Sequence, residues 1–467
     1  MTPLWVEQIC ATMRVERGRV WYGDKVAALG HTNFVQRLYM PTKLEGRKLD
    51  APADSGNWQR SEKIDLGTWQ AYYRKAAATT NFFPVAAHAQ TPAEDVLLAL
   101  SKYDSTIEEL RRARQLPYSR FPIGYADADP AAILLPHLAM FKSCAITLQL
   151  RALAELQAGQ AEKALDDVEL MLHLTAAIRN EPIFISHLVR IAMLRIILQP
   201  VWEGLGDHRW TDAQLALLET ELGKLDFLAD YQFAMRSERT FDVGILDYLR
   251  GTRNLDCLSV ENTTDSRFRD SLMGLAHVGP GGWFEQNKVA CCGMNFDLLV
   301  SIVNLETRVV SPAAEVRATN ACNKIRLTPC NWSVGLLLPG LTRCSERFAH
   351  AQTAADLARI ACALERYRLA HGDFPETLNA LVPQLMGKIP HDLISGQPLK
   401  YRRTDDPPSP GSGAASGSFI LYSVGWNGTD DGGKVRLPEG REASGPFRGE
   451  SGLNITDGDW VWRYPAK

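Results

Sequence analysis

From Thr91 onward, apolar residues recur at intervals of three and four over most of the chain, and this spacing predicts a succession of long helices. The first start is marked four ways: Thr91 stands at the cap, Pro92 at the first helical position, Glu94 and Asp95 in the first turn, and Val96, Leu97, Leu100 and Tyr103 along one face. Further helical stretches are predicted over 131–158, 161–178, 182–205, 211–222 and 225–250. Gly159-Gln160, Asn180-Glu181-Pro182 and Gly206-Asp207 separate several of them, and breaks this short make consecutive helices antiparallel neighbours. Helical character resumes over 283–308. Over 349–370, Ala354, Leu357, Ile360, Ala361 and Leu364 form one stripe, which His371-Gly372 terminates.

Elsewhere the periodicity fails. Residues 1–90 are rich in Gly, Pro, Asn and Thr with scattered aromatics (Trp58, Trp69, Tyr72, Tyr73), predicting irregular structure with short helices. Residues 251–282 are polar and carry Gly279-Pro-Gly-Gly282, a long-loop pattern. The Gly/Pro/Ser-rich run 405–418 predicts a mobile insertion between two strands. The stretch Leu150 to Val168, with Gly159 at a turn and Ala164 where two helices would approach, resembles one tetratricopeptide unit. A solenoid needs about three such units and the chain shows one, so an ordinary helical hairpin stands beside that reading.

Composition then narrows the class. With 467 residues, 45% hydrophobic and 22% charged, the chain is long enough for two or three domains and too apolar to be disordered throughout. Its 51 basic and 54 acidic residues give a net charge of −3, so no global positive field draws in nucleic acid. Nine cysteines, odd in number and without a C-x-x-C pair, argue against a disulfide framework or zinc knuckle; Cys291 and Cys292 are expected as reduced thiols. The first ten residues lack the pattern of a signal peptide. The most apolar runs, Ile191 to Trp202 and Trp332 to Leu341, fall short of the about 20 residues that a membrane span requires.

After Gly372 the order of motifs is distinctive: Gly372-Asp-Phe-Pro-Glu-Thr-Leu, Pro390-His-Asp392, Gly396-Gln-Pro-Leu-Lys-Tyr401, Ser423-Val-Gly425-Trp-Asn427-Gly428 and Asp457-Gly-Asp459-Trp460. Preceded by a long helix, this order resembles the globular domain of the type II secretion major pseudopilin. Residues 91–467 as a whole also resemble a group of uncharacterised bacterial proteins from planctomycete and verrucomicrobial genomes, through the stretches Glu181-Pro to Trp202-Glu203 and Arg347-Phe-Ala-His-Ala-Gln-Thr353. With the periodicity, the resemblance leads to a mainly α fold: an irregular segment 1–90, a large helical domain 91–345 and a small α+β module 346–467 that the resemblance makes pseudopilin-like. It also implies a bacterial cell-envelope setting and relatives anchored by an N-terminal membrane segment, of which this chain would be a truncated form.

In the pseudopilin family the acidic loop binds calcium. Carried over, the ligands would be Asn427, Asp430 or Asp431, Asp457 and Asp459, joined by carbonyls near Val424 and Gly425, and the ion would clasp the last strand to the preceding turn. Equally, Asn427-Gly428, Asp431-Gly432 and Asp457-Gly458 are turn signals whose acids would simply be solvated. Trp460, Trp462 and Tyr464 alternate as a packed strand face.

Catalytic signatures are absent: there is no H-E-x-x-H, G-x-S-x-G, phosphate-cradling Gly-Lys-Ser/Thr or dinucleotide glycine fingerprint. His137, His173 and His187 sit among apolar helical residues and receive no role. The densest polar set is Asp226, Asp230, Arg236, Glu238, Arg239, Asp242 and Asp247, with His187 and Arg190; helical spacing lets Arg236, Arg239 and Asp242 share a face, and likewise Glu238 and Asp242. The expected function is a non-catalytic scaffolding or envelope-associated protein that binds a protein partner through helical surfaces. The alternatives are an enzyme with its site in the cleft around 187–242 and a filament-linked component of a secretion system.

Overall fold

The computed structural model describes residues 13–16, 19–22, 38–44, 51–52, 56–116, 118–121, 123–125, 130, 133–253, 279–326, 328–404, 418–436 and 454–463. Most of the predicted loop 251–282 and of the insertion 405–418, together with Cys10, Cys257 and Tyr464, lie outside them. The fold is mainly helical, 59% helix against 7% strand, with its three-stranded sheet in the C-terminal part.

The helices are α1 Leu66–Ala77, α2 Pro92–Leu100, α3 Asp104–Ala113, α4 Pro136–Gln157, α5 Ala161–Ala177, α6 Phe184–Gly206, α7 Asp212–Gly223, α8 Phe227–Thr252, α9 Gly281–Met294, α10 Pro312–Lys324, α11 Trp332–Leu337 and α12 Ser345–His371. The strands are β1 Met13–Glu16 and β2 Arg19–Tyr22, paired antiparallel, the short antiparallel pair β3 Val303–Asn304 and β4 Val309–Val310, and β5 Lys400–Thr404, β6 Ser418–Ser423 and β7 Trp460–Arg463. The last three form an antiparallel sheet with β6 in the middle.

The start of α2 follows the sequence signals to the letter. Thr91 Oγ1 accepts the Glu94 N–H while Glu94 Oε2 accepts the Thr91 N–H at 3.0 Å, a reciprocal capping box that satisfies two otherwise orphaned donors. Gly159, with φ +74°, turns α4 into α5, a conformation in which a side chain would be strained, and Ala164 beyond it is fully buried.

Helix α6 has no exposed residue, because neighbours surround it. It is the one described helix long and apolar enough to cross a membrane, and 83% of its most apolar window is buried inside the fold. Pro200 within it lacks an N–H, so the Ile196 carbonyl loses its usual helical donor; Gln149 Nε2 of α4 donates to that oxygen at 3.2 Å instead.

One hydrophobic core runs from Leu38 through Trp69, Leu194 and Phe348 to Trp462. The boundaries drawn at residues 90 and 345 therefore do not divide it. Helix α12 packs along α7, α6 and α8 on one side and against β6 and β7 on the other. Residues 57–64 are strapped across α6: Gln199 Oε1 accepts the Trp58 N–H at 2.8 Å, Gln199 Nε2 donates to the Glu62 carbonyl at 2.9 Å, and Glu203 Oε1 accepts the Ile64 N–H at 3.0 Å. Trp58 in turn lies on Trp462 of β7, ring centroids 5.0 Å apart. The expected irregular N-terminal segment is thus partly an integral layer, with the twelve-residue helix α1 inside it.

The helix predicted over 283–308 ends early. After Met294 the chain makes one π-helical turn over 295–299 and a 3-10 turn over 300–302, then enters the β3–β4 hairpin. The apolar run Leu298 to Val303 satisfies helical and extended patterns alike, and because the chain is extended from Val303 the Leu299 carbonyl is left to accept the Tyr231 hydroxyl of α8 at 2.8 Å.

Candidate functional site

The tail turns meet as the sequence suggests. Gly425, at φ +69°, lies so close to the 454–459 turn that a Cβ there would stand 2.1 Å from the Gly458 carbonyl oxygen. The five predicted ligands, however, are divided among separate tasks. Asp459, 3% exposed, accepts backbone N–H groups from Asp431 at 3.2 Å, Gly433 at 2.7 Å and Lys434 at 3.3 Å. Asp430 accepts the Tyr422 hydroxyl and the Gly432 N–H and lies 3.4 Å from Lys400 Nζ. Asp457 accepts from Asn454 Nδ2 at 2.9 Å, and Asn427 Nδ2 reaches Asp431 Oδ2 at 3.4 Å.

Among the described residues, no three Asp, Glu, His or Cys side chains are grouped so as to hold a metal ion. As arranged, the donor set does not fit a calcium shell: Asp459 is filled by amides, and the other acids face different partners. The clasp between the two turns is made by Asp459 itself, whose carboxylate takes the amide donors at the point where an ion would otherwise be needed. Burial raises the Asp459 pKa and the three amides oppose that rise. Asp392 works in the same way within the Pro390-His-Asp392 turn, accepting the N–H groups of Ile394, Ser395 and, across the module, Val424 at 2.9 Å.

The polar set of the 187–242 region also separates. Arg190 and Asp230 form a buried ion pair, and Arg190 Nε donates to the Thr175 carbonyl at 2.9 Å. His187 is fully buried against the Glu181 carbonyl, and burial, reinforced by Arg190, pushes its pKa down to about 3, so it is neutral. Asp226 caps α8, and Asp247 pairs with Lys288. Arg236 is exposed and bonds Gln232, while Asp242 is buried, so the shared Arg236–Arg239–Asp242 face does not form a network; helical spacing fixes angle about the axis, not which arc is covered by neighbouring helices.

Glu238 and Asp242 are 5% and 3% exposed, one turn apart on α8, and neither has an ion-pair partner among the described residues. Asp242 Oδ2 is buried without a hydrogen bond. Burial pushes Glu238 up to about 8, and burial followed by the Glu238 charge pushes Asp242 well above the ordinary carboxylate range. Near Asp242 lies the Cys291 thiol, bonded to Ser333; in the π turn that follows, both amide atoms of Asn295 are buried without partners among the described residues. Burial thus favours the protonated form of both acids, and neither lines either of the two concavities described below.

Two open concavities are lined by described residues. One, about 520 Å³, is lined by Asp104, Glu108, Arg111, Arg151, Glu162 and Lys163 among others, and its arginines are committed: Arg111 to Asp167 at 2.6 Å and Arg151 to Asp104 at 2.8 Å. The other, about 790 Å³, lies between the β3–β4 hairpin and the C-terminal module. Val309, Leu378, Ile389, Pro390, Pro398 and Tyr401 give it an apolar lining, with Glu376, Lys388 and His391 also in its wall. The Val310 N–H donates to the Leu393 carbonyl at 2.8 Å and joins one wall to the other, while the Tyr401 hydroxyl braces the module wall by donating to the Pro375 carbonyl at 2.7 Å. Strand β5, which carries Tyr401, is an edge of its sheet.

No protein-family model, curated protein or solved structure matches this chain. Sequence reasoning missed this groove because one wall is the hairpin hidden in an apparently helical run. The other wall was present as Pro390 to Tyr401, where the Pro and Gly spacing signalled a turn but carried no sign of a cavity.

Proposed function

We propose that the chain is a non-catalytic binding protein that holds an extended segment of a protein partner in the groove between the β3–β4 hairpin and the C-terminal module. The observation that carries this reading is the groove itself: about 790 Å³, lined by prolines, aliphatics and a tyrosine, and bordered by the edge strand β5. An edge strand offers main-chain donors and acceptors that an extended peptide can match, and the flanking pockets take alternate side chains. The perturbed acids of α8, which would be the natural starting point for an enzyme, are sealed in the core and line neither open concavity.

Selection from a library of extended peptides, followed by binding measurements on the full chain, tests the proposal. Peptides that bind should lose affinity at least tenfold in Thr307→Arg, which fills the exposed mouth of the groove, and in Ile389→Arg, while Glu108→Arg on the other concavity leaves them unaffected. Recovery of no binding peptide, or equal binding by all these variants, contradicts it.

A further inference from the structure

Charge is unevenly settled in the groove between the β3–β4 hairpin and the C-terminal module. Glu376 is the one acid among the described lining residues, and it is engaged: Arg403 pairs with it and with Asp373. Asp392, next to His391 in the chain, is 1% exposed and accepts the amides of Ile394, Ser395 and Val424. Lys388 lines the same groove and is exposed, yet no ion pair or hydrogen bond to its ammonium is present among the described residues.

An ammonium carries three donors and no acceptor, so it is satisfied only by water or by an acceptor brought to it. Ile389 and Pro390 follow Lys388 directly and line the groove with it, which sets the charge beside apolar surface. A charge so placed selects more than it drives: it favours a partner of opposite sign, penalises like sign and adds little to total affinity.

Resting on the peptide-binding reading above, we infer that the partner segment is acidic: an extended, mainly apolar stretch of protein with an Asp or Glu side chain that pairs with Lys388. Val309, Leu378, Ile389 and Pro398 take its apolar side chains, and Lys388 decides which such segments are accepted. A basic residue at that position would meet an ammonium with no acid beside it to offset the repulsion.

The test uses the full chain and the peptides recovered from the extended-peptide library. Each acidic residue of a recovered peptide is replaced in turn by its amide, Glu by Gln and Asp by Asn, and Kd is measured at low and at physiological ionic strength. At one position the amide should weaken binding to the wild type about three- to fivefold, the upper range for an exposed ion pair, and the difference should shrink as salt rises. In Lys388→Met the acidic and amide peptides should bind alike, and in Lys388→Glu their order should reverse. Lys388 has no partner to lose among the described residues, so both variants should melt as the wild type does, which separates a lost contact from a lost fold. Glu376→Gln, at the acid already paired with Arg403, should leave the preference in place. Peptides that lose binding in Ile389→Arg yet show no acid preference, or a preference that survives Lys388→Glu, overturn the inference and leave the groove reading standing. Recovery of no peptide, or peptides indifferent to Ile389→Arg, overturns the groove reading and the inference with it.

Discussion

The tail turns and the core of α8 both take carboxylates out of water, and they do it in opposite ways. Asp459 is surrounded by backbone N–H groups, three of which it accepts, so its charge is spread over fixed dipoles and the side chain joins two loops. Glu238 and Asp242 have burial without such donors among the described residues, and burial there favours the protonated form. The Arg190–Asp230 pair is a third solution, a counter-charge held in the same helical body. The contrast teaches that proximity of acids in sequence says little about their charge state: available donors decide whether a buried carboxylate binds, braces or is neutralised.

Removing the counter-charged acid should cost most. Asp230→Ala leaves Arg190 buried and unpaired, and chemical denaturation should show a loss of about 3–5 kcal/mol. Asp459→Ala frees three amides at once, and a loss of about 3 kcal/mol is expected, equal in chelator and in millimolar calcium; a loss seen only in calcium would restore the ion to that site. Asp457→Ala, two residues away and bonded to Asn454 at the surface, should change stability by less than about 0.5 kcal/mol. A large effect there would break the division of labour between the two acids of Asp457-Gly-Asp459.

The sequence made some of this legible for identifiable reasons. Caps and turns are local chemistry, so Thr91, Glu94 and Gly159 announced their roles directly, and α4 to α8 fall within a few residues of their predicted bounds. The meeting of the two tail turns entered only through the resemblance and its calcium ion; the close approach of Gly425 to Gly458 carried no sign of its own in the sequence. What the acids do there was not legible, because the donors to Asp459 are backbone groups that any residue provides. The β3–β4 hairpin was hidden because Leu298 to Val303 lies on an apolar pattern that helix and strand share.

The claim that the α8 pair carries a proton at neutral pH is tested most directly by the pH dependence of the unfolding free energy in wild type and in Glu238→Gln. A folded-state pKa raised from 4.5 to about 8 means that stability is fully present below the unfolded value and is lost as pH rises through the folded one. The wild type should therefore weaken between about pH 5 and pH 8, whereas Glu238→Gln should lose much of that slope and exceed the wild type by on the order of 2 kcal/mol at the alkaline end. Parallel curves for the two proteins, or a variant that is weaker at every pH, would contradict the account.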